Sequence, residues 1–189
     1  VLDFSIPLPM EFENFTTDES LAQIVAQIRA VPLKPYRVVH IIGESGAGKS
    51  HLVTSWLKWR GLPQTQWHQH VYDHAEEHLP LEEIFHTINR AWQRNNTFFV
   101  VSRPDHLMQY QKLPDLYSRL QSGLTLSLSQ PSDIVLQTIL ERRLIRQGMM
   151  LSEGQIEFLG KRMPRSCADA VKLGDLIALQ IAKNKKNPT

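Results

Sequence analysis

Arg37-Val38-Val39-His40-Ile41-Ile42, followed at once by Gly43-Glu44-Ser45-Gly46-Ala47-Gly48-Lys49-Ser50, is the stretch whose reading decides the fold. The first six residues form a β-branched apolar run that reads as a buried strand and stops at Gly43. The next eight complete the G-x-x-x-x-G-K-[ST] pattern of a phosphate-cradling loop. Its glycines let the backbone wrap so that successive N–H groups point inward at phosphate oxygens. Lys49 is placed to reach the β- and γ-phosphates, and the Ser50 hydroxyl to ligate Mg²⁺. A helix is expected to begin inside the loop and run to about Trp59, where Gly61-Leu62-Pro63 stops it. A strand before the loop and a helix after it are the context that the motif requires.

Working outward, Thr17-Asp18-Glu19-Ser20 reads as a helix start. Leu21, Ile24, Val25 and Ile28 follow at helical spacing, and Pro32 and Pro35 end the helix. Downstream, Trp67–Asp73 predicts a second strand, Leu81–Arg94 a helix, and Thr97–Val101 a third strand. A helical segment spans about 113–120, and Leu124-Thr125-Leu126-Ser127-Leu128 alternates as a fourth strand. From Pro131 onward three helical patterns appear, at about 132–147, 152–163 and 166–183. Ser152 with Gln155 is a capping-box pair, and Gly148 a plausible stop for the helix before it. Strands alternating with helices predict an α/β fold with a parallel sheet flanked by helices, and the all-helical tail predicts a small three-helix lid. The expected organisation is an arm at 1–11, a nucleotide-binding domain at 12–130 and a lid at 131–189.

Composition narrows the field. A net charge of +2 on 189 residues excludes a general electrostatic grip on DNA, so contact with DNA is expected to be indirect or weak. No apolar run is long enough to cross a bilayer, and the first residues lack the basic and apolar regions of a signal peptide. The lone cysteine, Cys167, fits a reducing compartment, and a cytoplasmic location is expected.

A metal-bound nucleotide needs a carboxylate beyond the loop. Asp73 ends the strand His70-Val71-Tyr72 and fits a Walker B aspartate, or else caps the strand end. The second acidic residue usual after it is replaced by His74, which weakens polarisation of an attacking water. His74-Ala75-Glu76-Glu77-His78 matches an H-x-x-E-H zinc pattern. Pro80 would cut short the helix such a site needs, so surface histidines are the better reading.

Several segments together resemble the AAA+ domain of the bacterial DnaA/Hda family. They are Phe12-Glu13-Asn14-Phe15, the loop with His51-Leu52 after it, Phe85-His86-Thr87-Ile88-Asn89-Arg90, and Val101-Ser102-Arg103-Pro104. The most specific is Leu113-Pro114-Asp115-Leu116-Tyr117-Ser118-Arg119-Leu120 with Gly123-Leu124, and Glu153 to Arg162 resembles a lid helix. The resemblance implies ADP or ATP with Mg²⁺ as cofactors, and adds His51 to the nucleotide-binding residues. It also implies that Arg119 is an arginine finger acting on a neighbouring subunit's nucleotide. Ser102 would be the sensor 1 residue near the γ-phosphate, or a strand-terminal serine capping the next turn. Phe4-Ser5-Ile6-Pro7-Leu8-Pro9 resembles the clamp-binding peptide of Hda proteins. Phe4, Ile6 and Leu8 would then dock on the DNA polymerase sliding clamp, or the arm packs on its own domain.

Within the family, the initiator's helix-turn-helix domain is expected to be absent, which points to an Hda-like regulator with DnaA as partner and leaves room for homo-oligomers. An initiator trimmed of that domain and an independent ATP-driven loader are the alternatives. The chain also departs from the family. Only 22 residues separate Ser50 from Asp73, so one strand is expected to be missing. The sensor 2 arginine falls at Ala168, with Arg165 three residues earlier. Weak intrinsic ATPase activity at most is the expectation.

Overall fold

The computed structural model describes residues 18–35, 37–73 and 80–186. The arm residues Phe4, Ile6 and Leu8, the Phe12–Phe15 segment and the His74–His78 cluster lie outside the described residues.

Helix α1 (Glu19–Ala30) starts where Asp18 accepts a hydrogen bond from the Leu21 N–H at 2.9 Å. A carboxylate there satisfies an otherwise orphaned donor and complements the helix dipole. The helix buries Val25 and Ile28 and ends as Val31 turns to extended backbone before Pro32. Strand β1 (Val38–Gly43) is buried at every position, and so is β3 (Phe98–Ser102). They pair in parallel at the centre of a four-stranded sheet of order β2-β3-β1-β4. The edges are β2 (Val71–Asp73) and β4 (Leu124–Leu128). Centre strands covered on both faces read as continuous apolar runs, whereas β4 buries only Leu126 and Leu128.

The alternation of β1 assigns its two faces. Val39 and Ile41 join Phe99 and Val101 in a core under α1 and α2 (Lys49–Trp59). In that core the fully buried Trp56 meets Phe99 edge-on at 4.8 Å. Truncating an aromatic so placed costs about 3–5 kcal/mol. Val38, Phe98 and Val100 face the other way, onto α3 (Leu81–Gln93), α4 (His106–Tyr110) and α5 (Pro114–Gln121). Trp59, by contrast, is 46 % exposed and carries the Arg60 guanidinium 4.5 Å above its ring.

Three helices follow the sheet: α6 (Asp133–Arg146), α7 (Glu153–Gly160) and α8 (Cys167–Lys186). They share a small core of Leu140, Leu144 and Ile156. The buried Arg143 is neutralised there by Asp175 at 2.6 Å, whose carboxylate also accepts from Gln147 Nε2 at 2.8 Å. The expected capping box forms, with Ser152 and Gln155 satisfying each other's backbone N–H.

Three elements differ from the sequence reading. The second strand was expected over 67–73, but Gln64–Gln69 forms a 3-10 helix and the strand is only Val71–Asp73. Pro63 starts that turn, accepting from the Gln66 N–H. The Trp67 indole donates to the Leu62 carbonyl, so the chain joins the ladder only at its last three residues. The third strand begins one residue late because Thr97 is tied to the Pro32–Leu33 loop through both its hydroxyl and its N–H. Helix α4 was not expected at all; five residues are too few for a period to show. Among the described residues no strand lies between α2 and β2, and no helix is long and apolar enough to cross a membrane.

Candidate phosphate site

At the end of β1, Gly43 pairs with Leu128 of the neighbouring β4. A Cβ on Gly43 would stand 2.6 Å from the Leu128 backbone carbonyl oxygen, closer than side chains come to backbone, so only glycine fits. The loop then places Gly46 and Gly48 at φ +80° and +93°, left-handed backbone that favours glycine. A Cβ on Gly46 would lie 2.6 Å from Ser166 Cβ, because the start of α8 rests on the loop. The Cys167 N–H donates to the Gly46 carbonyl at 2.9 Å. The helices that follow the sheet are thus joined, through α8, by a hydrogen bond to the loop that would hold phosphate. Cys167 faces Gly48 there, and burial pushes its thiol up to about 11, so it is an inert thiol at neutral pH.

Lys49 is 8 % exposed, and its ammonium donates to the carbonyls of Gly43 at 2.7 Å and Glu44 at 2.8 Å. Burial depresses its pKa, the Asp73 and Glu44 carboxylates pull it back, and the Arg103 guanidinium pushes it further down. Asp73 therefore stands within electrostatic reach of Lys49, at the exposed end of β2. Ser50 is exposed on the first turn of α2, whereas burial lowers the pKa of His51.

The loop opens into a cavity of about 670 Å³, lined by Gly46 to His51 at one end. Leu21 and Ile24 of α1, Val135 and Ile139 of α6 and Val171 of α8 form its apolar walls. Asp18, Arg142 and Arg146 also line it. An anion-binding end beside an apolar slot suits a nucleotide, phosphates on the loop and base between the helices. Ala168 lines this cavity and brings no charge to it. Arg165 is turned away, its guanidinium 3.0 Å from Asp133 and 3.4 Å from the Pro131 carbonyl.

Ser102 is fully buried, and its hydroxyl is bonded at 2.7 Å to His40 Nε2. The His40 ring meets Tyr110 edge-on at 5.6 Å. Burial lowers the His40 pKa to about 4. Ser102 thus lies behind the end of β3 rather than among the residues lining the cavity.

Arg119 sits at the other end of the sheet. It closes the last turn of α5, where a cation suits the helix dipole. Its guanidinium lies 5.5 Å from the ring centres of both Phe85 and Trp92. With Arg37, Val38, Ser122, Gly123 and Leu124 it lines a second cavity of about 410 Å³. Val38 begins β1 and Leu124 begins β4, so Arg119 belongs to the edge where the parallel strands start and the loop to the edge where they finish.

No protein-family model matches this sequence, and no curated protein does. Solved structures do match. The replication initiator DnaA bound to AMPPCP and single-stranded DNA superposes with a TM-score of 0.69 at 16 % identity, covering 96 % of this chain and 69 % of that one. Domain III of the Thermotoga maritima replication initiation protein DnaA gives 0.68 at 18 %, covering 94 % and 90 %. The fold is that of the DnaA AAA+ domains. Thermotoga maritima RuvB R170A gives 0.63 at 16 %, covering 93 % and 67 %. At such identities the AAA+ fold is what these likenesses establish, and the roles of individual residues rest on their geometry.

Sequence reasoning passed over Arg103, Arg142 and Arg146. The last two were legible in part, since 135, 139, 142 and 146 fall on one face of a helix. The position of Arg103 depends on strand register, which no local pattern reveals.

Proposed function

We propose that this chain is an Hda-like AAA+ regulator of DNA replication initiation, binding ADP or ATP and promoting hydrolysis of DnaA-bound ATP together with the DNA-loaded sliding clamp. The observation that carries the reading is the separation of Arg119 from the chain's own phosphate loop. β1 alone puts a strand's length, about 17 Å, between the two edges. A side chain there cannot serve its own nucleotide, but it can be presented to one bound by a neighbour. Its seat between Phe85 and Trp92 holds the guanidinium partly desolvated and oriented, which lowers the entropy cost of docking.

In this reading Gly43 to His51 bind the phosphates, Lys49 exchanges its two backbone carbonyls for phosphate oxygens, and Ser50 with Asp73 holds Mg²⁺. The metal would screen the charge of the phosphates. Ala168 contributes no sensor 2 cation, and Arg165 is paired with Asp133 rather than lining the cavity. Intrinsic turnover is therefore slow, and the bound nucleotide sets conformation through the contact between Gly46 and Cys167. Phe4, Ile6 and Leu8 supply the clamp-docking peptide.

The test is hydrolysis of ATP by DnaA in the presence of the DNA-loaded clamp. Wild-type chain should stimulate it, and Arg119→Ala should not, while a pull-down on the clamp is unchanged by Arg119→Ala and lost without residues 1–9. Stimulation that survives Arg119→Ala overturns the finger assignment. Rapid ATP turnover by the purified chain alone overturns the regulator reading in favour of an independent ATPase.

A further inference from the structure

Between parallel strands each helix runs back from the finishing edge to the starting edge, so helix ends collect at one edge and helix starts at the other. The last turns of α2, α3 and α5 carry Lys58, Arg90 and Arg119 to the starting edge, and Arg37 stands there directly before β1. Carboxylates are sorted the opposite way. Among the described residues before Pro131, every one sits at a helix start or a strand finish, Glu82 and Asp115 among the first and Asp73 among the second. A helix end carries about half a negative charge, so one cation in each last turn answers the dipole that it faces. Arg37 lies outside any helix, and that account does not cover it.

Arg37 and Arg119 line the same cavity, the one of about 410 Å³ at this edge. Its floor is fixed by backbone. The Arg37 carbonyl accepts from the Phe98 N–H at 2.8 Å, at the first rung between β1 and β3. Gly123 packs on the start of β1, where a Cβ would stand 2.5 Å from the Val38 carbonyl oxygen. The Ser122 hydroxyl donates to the Arg119 carbonyl at 3.0 Å and closes the end of α5. The turn after Arg119 is thereby held against the residue that follows Arg37. Arg37 is exposed, and no acidic side chain of the described residues lines the cavity. Two guanidinium groups sharing a depression without a counter-charge form a place for an anion. The two oxygens of a carboxylate are matched by one guanidinium fork, whereas the three of a terminal phosphoryl group leave oxygens for both.

We infer that Arg37 is a second cation of the site presented to a neighbour, meeting the terminal phosphate of the neighbour's nucleoside triphosphate together with Arg119. This rests on the reading of Arg119 proposed above and deepens it. Arg119 comes from the end of α5, oriented by Phe85 and Trp92, and Arg37 from the start of β1. In the hydrolysis, water adds to the γ-phosphorus as the bond to the β–γ bridging oxygen breaks, giving ADP, phosphate and a proton. Neither arginine forms or breaks a bond. Charge spreads over the phosphoryl oxygens in that step, and two cations fixed on different elements stabilise it from two sides.

The experiment is single-turnover hydrolysis of ATP by DnaA with the DNA-loaded clamp, measured against the concentration of the full chain. Arg37→Ala should lower the maximal rate about tenfold or more and move half-saturation by less than about threefold, as expected for a charge-assisted contact made in the transition state. Arg37→Lys, which keeps the charge but not the fork, should recover only part of the loss. Added to Arg119→Ala, the same change should cost far less than it does alone, because groups that act as a unit are not additive. Only the backbone carbonyl of Arg37 serves the ladder, so melts of the variants should match wild type, and Arg37→Gln replaces Arg37→Ala if that variant melts early. A wild-type maximal rate in the folded variant overturns the inference and leaves Arg119 as the finger. A rise in half-saturation alone also overturns it, making Arg37 a docking charge. If the wild-type chain gives no stimulation, or Arg119→Ala stimulates as well as wild type, the finger reading fails and this inference with it.

Discussion

The two edges of the parallel sheet are built to different designs. At the finishing edge, cations are buried or forked onto neighbours: Lys49 on two carbonyls, Arg103 on Asp105. Glycines bring the backbone close, and α8 leans directly on the loop. At the starting edge, Arg119 lies against two aromatic rings, one of them, Trp92, 55 % exposed. In the proposed reading one edge encloses an anion and the other offers a cation. An enclosing site gains its affinity from pre-aligned donors and exclusion of water, whereas an offered cation must stay partly hydrated and be held by faces rather than by counter-charges. A carboxylate beside Arg119 would cancel it; aromatic rings orient it without neutralising it.

The strongest way to break this contrast is at Arg119. Arg119→Ala should leave nucleotide binding by the chain itself unchanged and reduce stimulation of a neighbour's hydrolysis by about a thousandfold or more, the range for a trans-acting arginine. Fluorescence titration of the chain and single-turnover hydrolysis by DnaA read the two effects separately. A loss of own-nucleotide affinity would mean that the two edges are not independent.

The next largest effect concerns what joins the edges. His40 lies mid-strand between them, neutral when folded, with a pKa of about 4 against an ordinary 6.5. Between those values the unfolded chain binds the extra proton, so stability is full above pH 6.5 and falls as pH drops towards 4. The loss from this one group approaches about 3 kcal/mol. Burial lowers His51, His70 and His106 in the same direction. Urea midpoints at pH 7 and 5 should show the decline, and His40→Gln should flatten it. An unaltered slope in that variant would place the acid sensitivity elsewhere.

Lys49→Ala sharpens the finishing edge. It removes the ammonium that would meet the phosphates, so nucleotide affinity should fall about 10- to 100-fold while clamp binding is kept. Isothermal titration checks the first and a pull-down the second. The smallest expected effect is Trp92→Ala, which takes away one of the two faces under Arg119. Stimulation should fall only a few-fold, since an exposed cation–π contact contributes about 0.5–1 kcal/mol. A loss as large as that of Arg119→Ala would mean that the ring itself meets the partner.

Legibility in the sequence followed the range of the forces involved. The helix start at Thr17–Ser20 and the Ser152–Gln155 capping pair were legible because their bonds are made within three residues: Asp18 and Ser152 cap their helices, and Ser132 does the same for α6. β1 and β3 were legible because strands covered on both faces must be apolar throughout. The second strand is shorter than the expected 67–73 because the hydrogen bonds that decide it run to Leu62 and Thr97, outside the segment. Ser102 was legible as a strand-end serine, but its orientation towards His40 came from packing 62 residues away in the chain.

The sequence by itself determined the strand, the turn and the helix around Lys49, because glycine sterics, apolar runs and caps act between near neighbours. Only the tertiary structure decided that Arg119 and Lys49 occupy opposite edges of one sheet. It alone set Ser166 and Cys167 on the phosphate loop and brought Arg103 beside Gly43. Those placements come from parallel register and from helices packing across the sheet, where each contact joins residues too far apart in the chain for any local pattern to carry it.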